Sequence, residues 1–238
     1  MKIEVWSDVV CPFCFLGRKN LQAALGQYEH ADEVSVHWRS FQLDPSAEPG
    51  EPGSTAAGLA AKYQMPIAEA EANQDRLRQS GAQVGIDFRW DLVRPDNTFD
   101  AHRLVHIVAE RAPEQVDALV GRLFEAHFTE GAAVSDHEVL VGIAAELGID
   151  ADQVRAALAG DDGTEAVRQD LAQAQAYGIS GVPFFVIDQA YGVSGAQPPE
   201  VLVAAMEQAR EAAVAGAAPE QNGDDHDHPS CSQDSCEA

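Results

Sequence analysis

Hydrophobic and polar residues alternate from Lys2 to Ser7, with Ile3 and Val5 on one face and Lys2, Glu4 and Trp6 on the other. That period of two predicts a strand. The period then changes. Phe15, Leu16, Leu21, Ala24 and Leu25 recur at helical spacing, which predicts a helix running through Tyr28. His30 to Glu33 is a polar break, after which Val34 to Arg39 alternates again and leads into Ser40-Phe41-Gln42-Leu43, predicting a second strand. Two strands joined by one helix predict a parallel βαβ unit.

Asp44 to Ser54 is rich in Pro, Gly and Glu and reads as an exposed loop. From Thr55 to about Ala176 the apolar positions fall at three- and four-residue intervals, which predicts a helical block. Ser135 with Glu138 has the form of a capping box. The sheet pattern returns after Gly178-Ile179-Ser180-Gly181-Val182-Pro183. Phe184 to Ile187 and Ala190 to Val193 flank Asp188-Gln189, predicting an antiparallel hairpin, and a last helix follows from Glu200 to about Ala215. The expected division is an α/β first part, 1–54, an inserted helical subdomain, 55–176, an α/β closing part, 177–215, and a disordered acidic tail, 216–238, that lacks Lys and Arg.

Charge narrows the function. The chain has 39 acidic and 15 basic residues, a net charge of −24, and such a surface repels phosphate backbones. Neither a nucleic-acid partner nor a membrane partner is expected, because no apolar run approaches the length of a span. The first residues enter a strand without an apolar signal region, so the expected location is the cytoplasm. Stable structural disulfides are rare there and dithiols are usually catalytic.

The candidate chemistry is Cys11-Pro12-Phe13-Cys14, set where the first strand ends and the first helix begins. A thiol at a helix N-terminus meets unpaired N–H groups and the positive end of the helix dipole, which favour a thiolate. Pro12 suits the first helical turn. These residues read as a redox dithiol with Cys11 as nucleophile and no required cofactor. The alternative is half of a zinc site, but the remaining cysteines, Cys231 and Cys236, lie at the far end of the chain.

The order of motifs resembles the DsbA-type branch of the thioredoxin fold, and within it the FrnE-like group. The resemblance is carried by Ser7-Asp8 before Cys11-Pro12-Phe13-Cys14, by Arg39-Ser40-Phe41-Gln42-Leu43, and by Asn97-Thr98 with Ala101-His102-Arg103. Gly178 to Pro183 and Gly195-Ala196-Gln197 complete it. Relatives of that group include 2-hydroxychromene-2-carboxylate isomerases and kappa-class glutathione transferases. The resemblance implies a thioredoxin fold with a helical insertion and a cis bond before Pro183, which brings Val182 and Pro183 beside the dithiol to contact substrate. It implies thiol–disulfide exchange, with isomerisation of wrong disulfides as a further activity; the isomerase and transferase relatives carry a serine where this chain has Cys11. Disulfide-containing proteins or small thiols such as glutathione are the implied partners. A glutathione-dependent isomerase or transferase is the alternative activity, and a metal-binding or thiol-buffering protein the alternative outside enzymes.

The tail holds His226, His228, Cys231 and Cys236. Three readings stay open for it: a second redox pair, Cys231–Cys236, exchanging with the first; a site for Zn²⁺ or a softer metal; or a solubilising tail with incidental cysteines. His102 and His106 stand four apart on a helix, where core or capping roles are expected rather than a shared metal.

Overall fold

The computed structural model describes residues 1–216. Four strands form one sheet in the order β2-β1-β3-β4. Strand β1 (Lys2–Ser7) runs parallel to β2 (Ser35–Ser40) through helix α1 (Pro12–Leu25), and antiparallel to β3 (Phe184–Ile187), which pairs with β4 (Tyr191–Ser194). The hairpin turns on Asp188 and Gln189, both at positive φ (47° and 58°). Between β2 and β3 the chain forms α2 (Thr55–Tyr63), α3 (Ile67–Gln83), α4 (Phe99–Arg111), α5 (Val116–Phe128), α6 (His137–Glu146), α7 (Ala151–Ala159) and α8 (Thr164–Ala176). Helix α9 (Pro199–Gly216) closes the described chain.

Strand β1 is central, and that explains its composition. Both faces are covered, so the polar-looking face is buried as well. Ile3 and Val5 join the main core with Phe15, Leu104 and Phe124, while Trp6 packs with Ala174, Ile179 and Val186 in a second cluster. Glu4, on the Trp6 face, is buried and ion-paired with Arg39 and Lys2. Helix α8 is attached to this side of the sheet: Asp170 accepts from Arg39 Nη1 at 3.0 Å and from the Ser40 N–H at 2.8 Å, and its carbonyl accepts from Trp6 Nε1 at 3.2 Å.

Three local expectations change. Strand β2 ends at Ser40 rather than continuing to Leu43: the Phe41 N–H still reaches Ser7 O, but the Leu43 N–H turns to the Asp8 carboxylate at 2.7 Å. Helix α1 stops at Leu25, where Gly26 and Gln27 close a turn on Gln22 O and Ala24 O. The N-cap of α6 is Asp136, not Ser135, because the Asp136 carboxylate accepts from the Glu138 N–H at 2.8 Å.

Candidate active site

Strand β1 ends at Ser7, and a turn closed by the Cys11 N–H on Asp8 O (3.0 Å) delivers Cys11 to the N-cap of α1, with Pro12 as first helical residue. Proline fits because a first-turn N–H has no helical partner to lose. No side chain caps α1, so the positive end of the helix lies at Cys11. The Cys11 carbonyl accepts from the Cys14 N–H at 3.0 Å, which places Cys14 one turn further on. Both cysteines are free thiols.

The two sulfurs have unlike surroundings. Cys11 lines a groove, and its Sγ donates to Val182 O at 3.5 Å. Cys14 is buried, and burial, then the neighbouring Cys11, push its thiol well above the ordinary value; smaller opposite effects come from the Asp8 backbone and the Ser7 hydroxyl. The Val182–Pro183 bond is cis. Pro183 packs on Gly17 of α1, where an added Cβ would lie 2.8 Å from Pro183 Cγ. Gly17→Ala is therefore expected to destabilise the fold by about 1–3 kcal/mol through overpacking. A urea midpoint equal to that of the parent would show that the two segments are not in this contact.

The groove has a volume of about 1280 Å³. Its rim is apolar: Phe13 is 51 % exposed and Tyr63 61 %, with Leu43 and Leu59 also open to solvent. Helices α2 and α3 form the wall opposite the dithiol, and Trp90 and Phe128 contribute aromatic surface. Asp8, Arg94, Asp96 and His127 line it as well. Asp8 is buried and bonds His102 Nε2 at 3.3 Å through its other oxygen. Asp96 accepts from the N–H groups of Asn97 (2.9 Å) and Ser135 (3.1 Å). Burial lowers His127 to about 4 against the opposing pull of Asp96 and Asp8, so its imidazole is neutral at pH 7.

The structure thus brings Cys11, Pro12, Phe13, Cys14, Val182 and Pro183 together. His226, His228, Cys231 and Cys236 lie outside the described residues. His102 and His106 take separate partners, Asp8 for the first and Asp170 with Ser40 for the second, and among the described residues no group of three metal-ligating side chains converges. Asn97 ties the loop after β2 to α4, donating to Pro45 O and Ala47 O at 3.2 Å and accepting from the Phe99 N–H. Arg94, Asp96 and His127 escape a sequence reading because single polar residues on unrelated elements carry no shared spacing.

Comparison with known proteins follows the same outline. A probable DsbA oxidoreductase from Streptomyces coelicolor is 39% identical, with a TM-score of 0.82 and 89% of this chain and 90% of that one covered. The uncharacterised protein YwbO of Bacillus subtilis is 27% identical over 190 residues, 78% of this chain and 86% of that protein. The cytosolic disulfide reductase DsbM from Pseudomonas aeruginosa shares the fold at 18% identity, with a TM-score of 0.60 and 91% and 98% of the two chains covered. Among the described residues no helix is long and apolar enough to cross a membrane. The profile of the DSBA-like thioredoxin domain matches residues 2–207, and the chain belongs to that family.

Proposed function

We propose that this protein is a thiol–disulfide oxidoreductase working through Cys11 and Cys14. The observation that carries the reading is the asymmetry of the pair: both sulfurs are buried, but Cys11 stands at the N-cap position of α1 and lines the groove, while Cys14 lies one turn behind it, off the groove, with its thiol held protonated. In the reducing direction the Cys11 thiolate attacks a substrate disulfide, forming a mixed disulfide and expelling one substrate thiolate. Cys14 then gives up its proton and attacks Cys11 Sγ. The Cys11–Cys14 bond forms, the second substrate thiolate leaves, and the substrate has gained two electrons. A small thiol such as glutathione restores the dithiol in its own oxidation to a disulfide; DsbM, of the same fold, has been solved with GSH. No resident cofactor enters the cycle. The first step alone, followed by return of the substrate thiolate to another sulfur, would give disulfide isomerisation.

The Cys-Pro-Phe-Cys sequence favours a potential below that of the strongly oxidising periplasmic type, since Pro12 has no N–H and Phe13 has no side-chain donor for the thiolate. A reducing cytoplasm suits that poise. We further assign Cys231 and Cys236 as a second pair that exchanges with Cys11, in preference to a metal site.

The test is equilibration of the full chain in graded glutathione buffers, followed by alkylation and mapping of all four cysteines. Cys11 and Cys14 are expected to change state together. In the reduced protein Cys14 is expected to resist alkylation at pH values where an ordinary thiol reacts, because its raised value favours the protonated thiol and because it is buried. A Cys11–Cys231 or Cys11–Cys236 peptide would support the second pair. Cys11 found only as a glutathione adduct, with Cys14 never oxidised, would sink the dithiol reading in favour of a glutathione-dependent isomerase or transferase.

A further inference from the structure

The groove contains two polar side chains that its other residues leave unused. Arg94 lies between α3 and α4, and among the described residues its guanidinium makes no hydrogen bond or ion pair; its Nε is buried without a partner. His127, in the last turn of α5, is 1 % exposed, and its Nδ1 is also buried without a partner. Both line the cavity that Cys11 lines. Arg94 is half-buried, whereas the two buried arginines are committed: Arg18 to Asp117, and Arg103 to Asp100 and a set of backbone carbonyls. A buried donor without an acceptor costs free energy, more so on a charged group.

The neighbouring carboxylates do not take up these donors. Asp8 is engaged by His102 and the Leu43 N–H, and Asp96 by the N–H groups of Asn97 and Ser135. Lys62 and Arg76 add positive charge to the cavity lining, opposed by the already engaged Asp8 and Asp96 and by Asp44, 3.6 Å from Lys62. On a chain of net charge −24, a cavity with an uncommitted guanidinium is the place suited to an organic anion. An arginine fork matches the two oxygens of a carboxylate, and a neutral histidine offers a further N–H donor. Leu77, Trp90 and Phe128 supply apolar and aromatic surface in the same cavity.

We propose that Arg94 and His127 form a carboxylate-binding subsite, so that the compound cycled at Cys11 is a small thiol or disulfide bearing a carboxylate on an apolar body. The redox half of this statement rests on the dithiol reading above; the binding half does not.

The test begins without turnover. Binding of 4-phenylbutyrate and of 4-phenylbutyramide to the reduced full-length protein is measured by NMR titration, with Arg94→Met and Arg94→Lys alongside. The acid is expected to bind at least about tenfold tighter than the amide, as suits a charge-assisted pair; Arg94→Met erases that preference and Arg94→Lys keeps part of it. Because Arg94 has no hydrogen-bond or ion-pair partner among the described residues, the Met variant is expected to keep the parent melting temperature. Equal binding of acid and amide by the parent, or an undiminished preference in Arg94→Met, would overturn the subsite.

Turnover supplies the second arm. The ratio of kcat/KM for 5,5′-dithiobis(2-nitrobenzoate) over the uncharged 2,2′-dipyridyl disulfide is expected to fall at least about tenfold in Arg94→Met, through KM, because uniform binding is what is removed. A ratio that stays put overturns the proposal. Should the parent reduce neither disulfide while its preference for the acid persists and depends on Arg94, the subsite stands and the dithiol reading fails.

Discussion

Replacing Cys11 by serine is expected to lower disulfide turnover by about 10³-fold or more, equivalent to roughly 4 kcal/mol of barrier. A serine hydroxyl at neutral pH offers neither the thiolate nor a sulfur that can join a mixed disulfide. Cys14→Ser should behave differently. Its Cys11 still lines the groove at the start of α1, so the first exchange proceeds, but nothing behind it can resolve the adduct. One equivalent of substrate thiol should appear in a burst, and mass spectrometry should find the other half on Cys11. The paired outcome is what separates a dithiol enzyme from a monothiol one. Multiple turnovers by Cys14→Ser at the parent rate would mean that an external thiol resolves the adduct, as in a glutathione-dependent isomerase. Substantial turnover by Cys11→Ser would remove Cys11 from the chemistry altogether.

The placement of Cys11 and Cys14 was legible because it depends on local rules. A period-two strand, a proline fit for N1 and a period-three-to-four helix converge on the same few residues, and the structure joins them as β1, Cys11 and α1. The hairpin at Asp188-Gln189 was legible for the same reason. What misled was local evidence set against a tertiary competitor. Leu43 looked like a strand residue, yet its N–H is taken by Asp8. Ser135 looked like a cap, yet its N–H is held by Asp96 and the capping passes to Asp136. The polar face of β1 concealed a second core, since Glu4 is buried through its pairing with Arg39 on the neighbouring strand. The groove floor was not legible at all. Arg94 and His127 lie 33 positions apart in the numbering, on a loop and a helix, and only the packing of α5 beside α1 and the dithiol makes them neighbours of one cavity.

Arg103 illustrates a motif residue whose work is structural, and its loss is expected to cost the most stability of any single change considered. The side chain is 6 % exposed. Its Nε donates to Asp162 O at 2.9 Å, Nη1 to the Asp100 carboxylate at 2.8 Å and Leu158 O at 3.2 Å, and Nη2 to Ala157 O at 3.1 Å and Gly160 O at 2.6 Å. Those carbonyls belong to the end of α7 and the turn that follows, where only Ala157 O also takes a backbone N–H, from Gly160 at 3.2 Å, and a positive charge meets the negative end of the dipole. The guanidinium of α4 thus caps α7 from the side. Close packing reinforces it: a Cβ on Gly163, at φ +76°, would lie 2.7 Å from Arg103 O. Arg103→Met keeps the apolar stem but removes five donated hydrogen bonds from this set of acceptors, and is expected to destabilise by about 3–5 kcal/mol, the usual cost of removing one partner from a buried charged network. For a chain of this size that is a fall of roughly 10 °C in Tm. Arg103→Lys should recover only part, because one ammonium cannot reach acceptors spread over Ala157 to Asp162. The residue lines no part of the groove, so the folded fraction at low temperature should still form the Cys11–Cys14 disulfide. A melting temperature within about 2 °C of the parent, less than roughly 1 kcal/mol, would show that α7 holds its place without this cap.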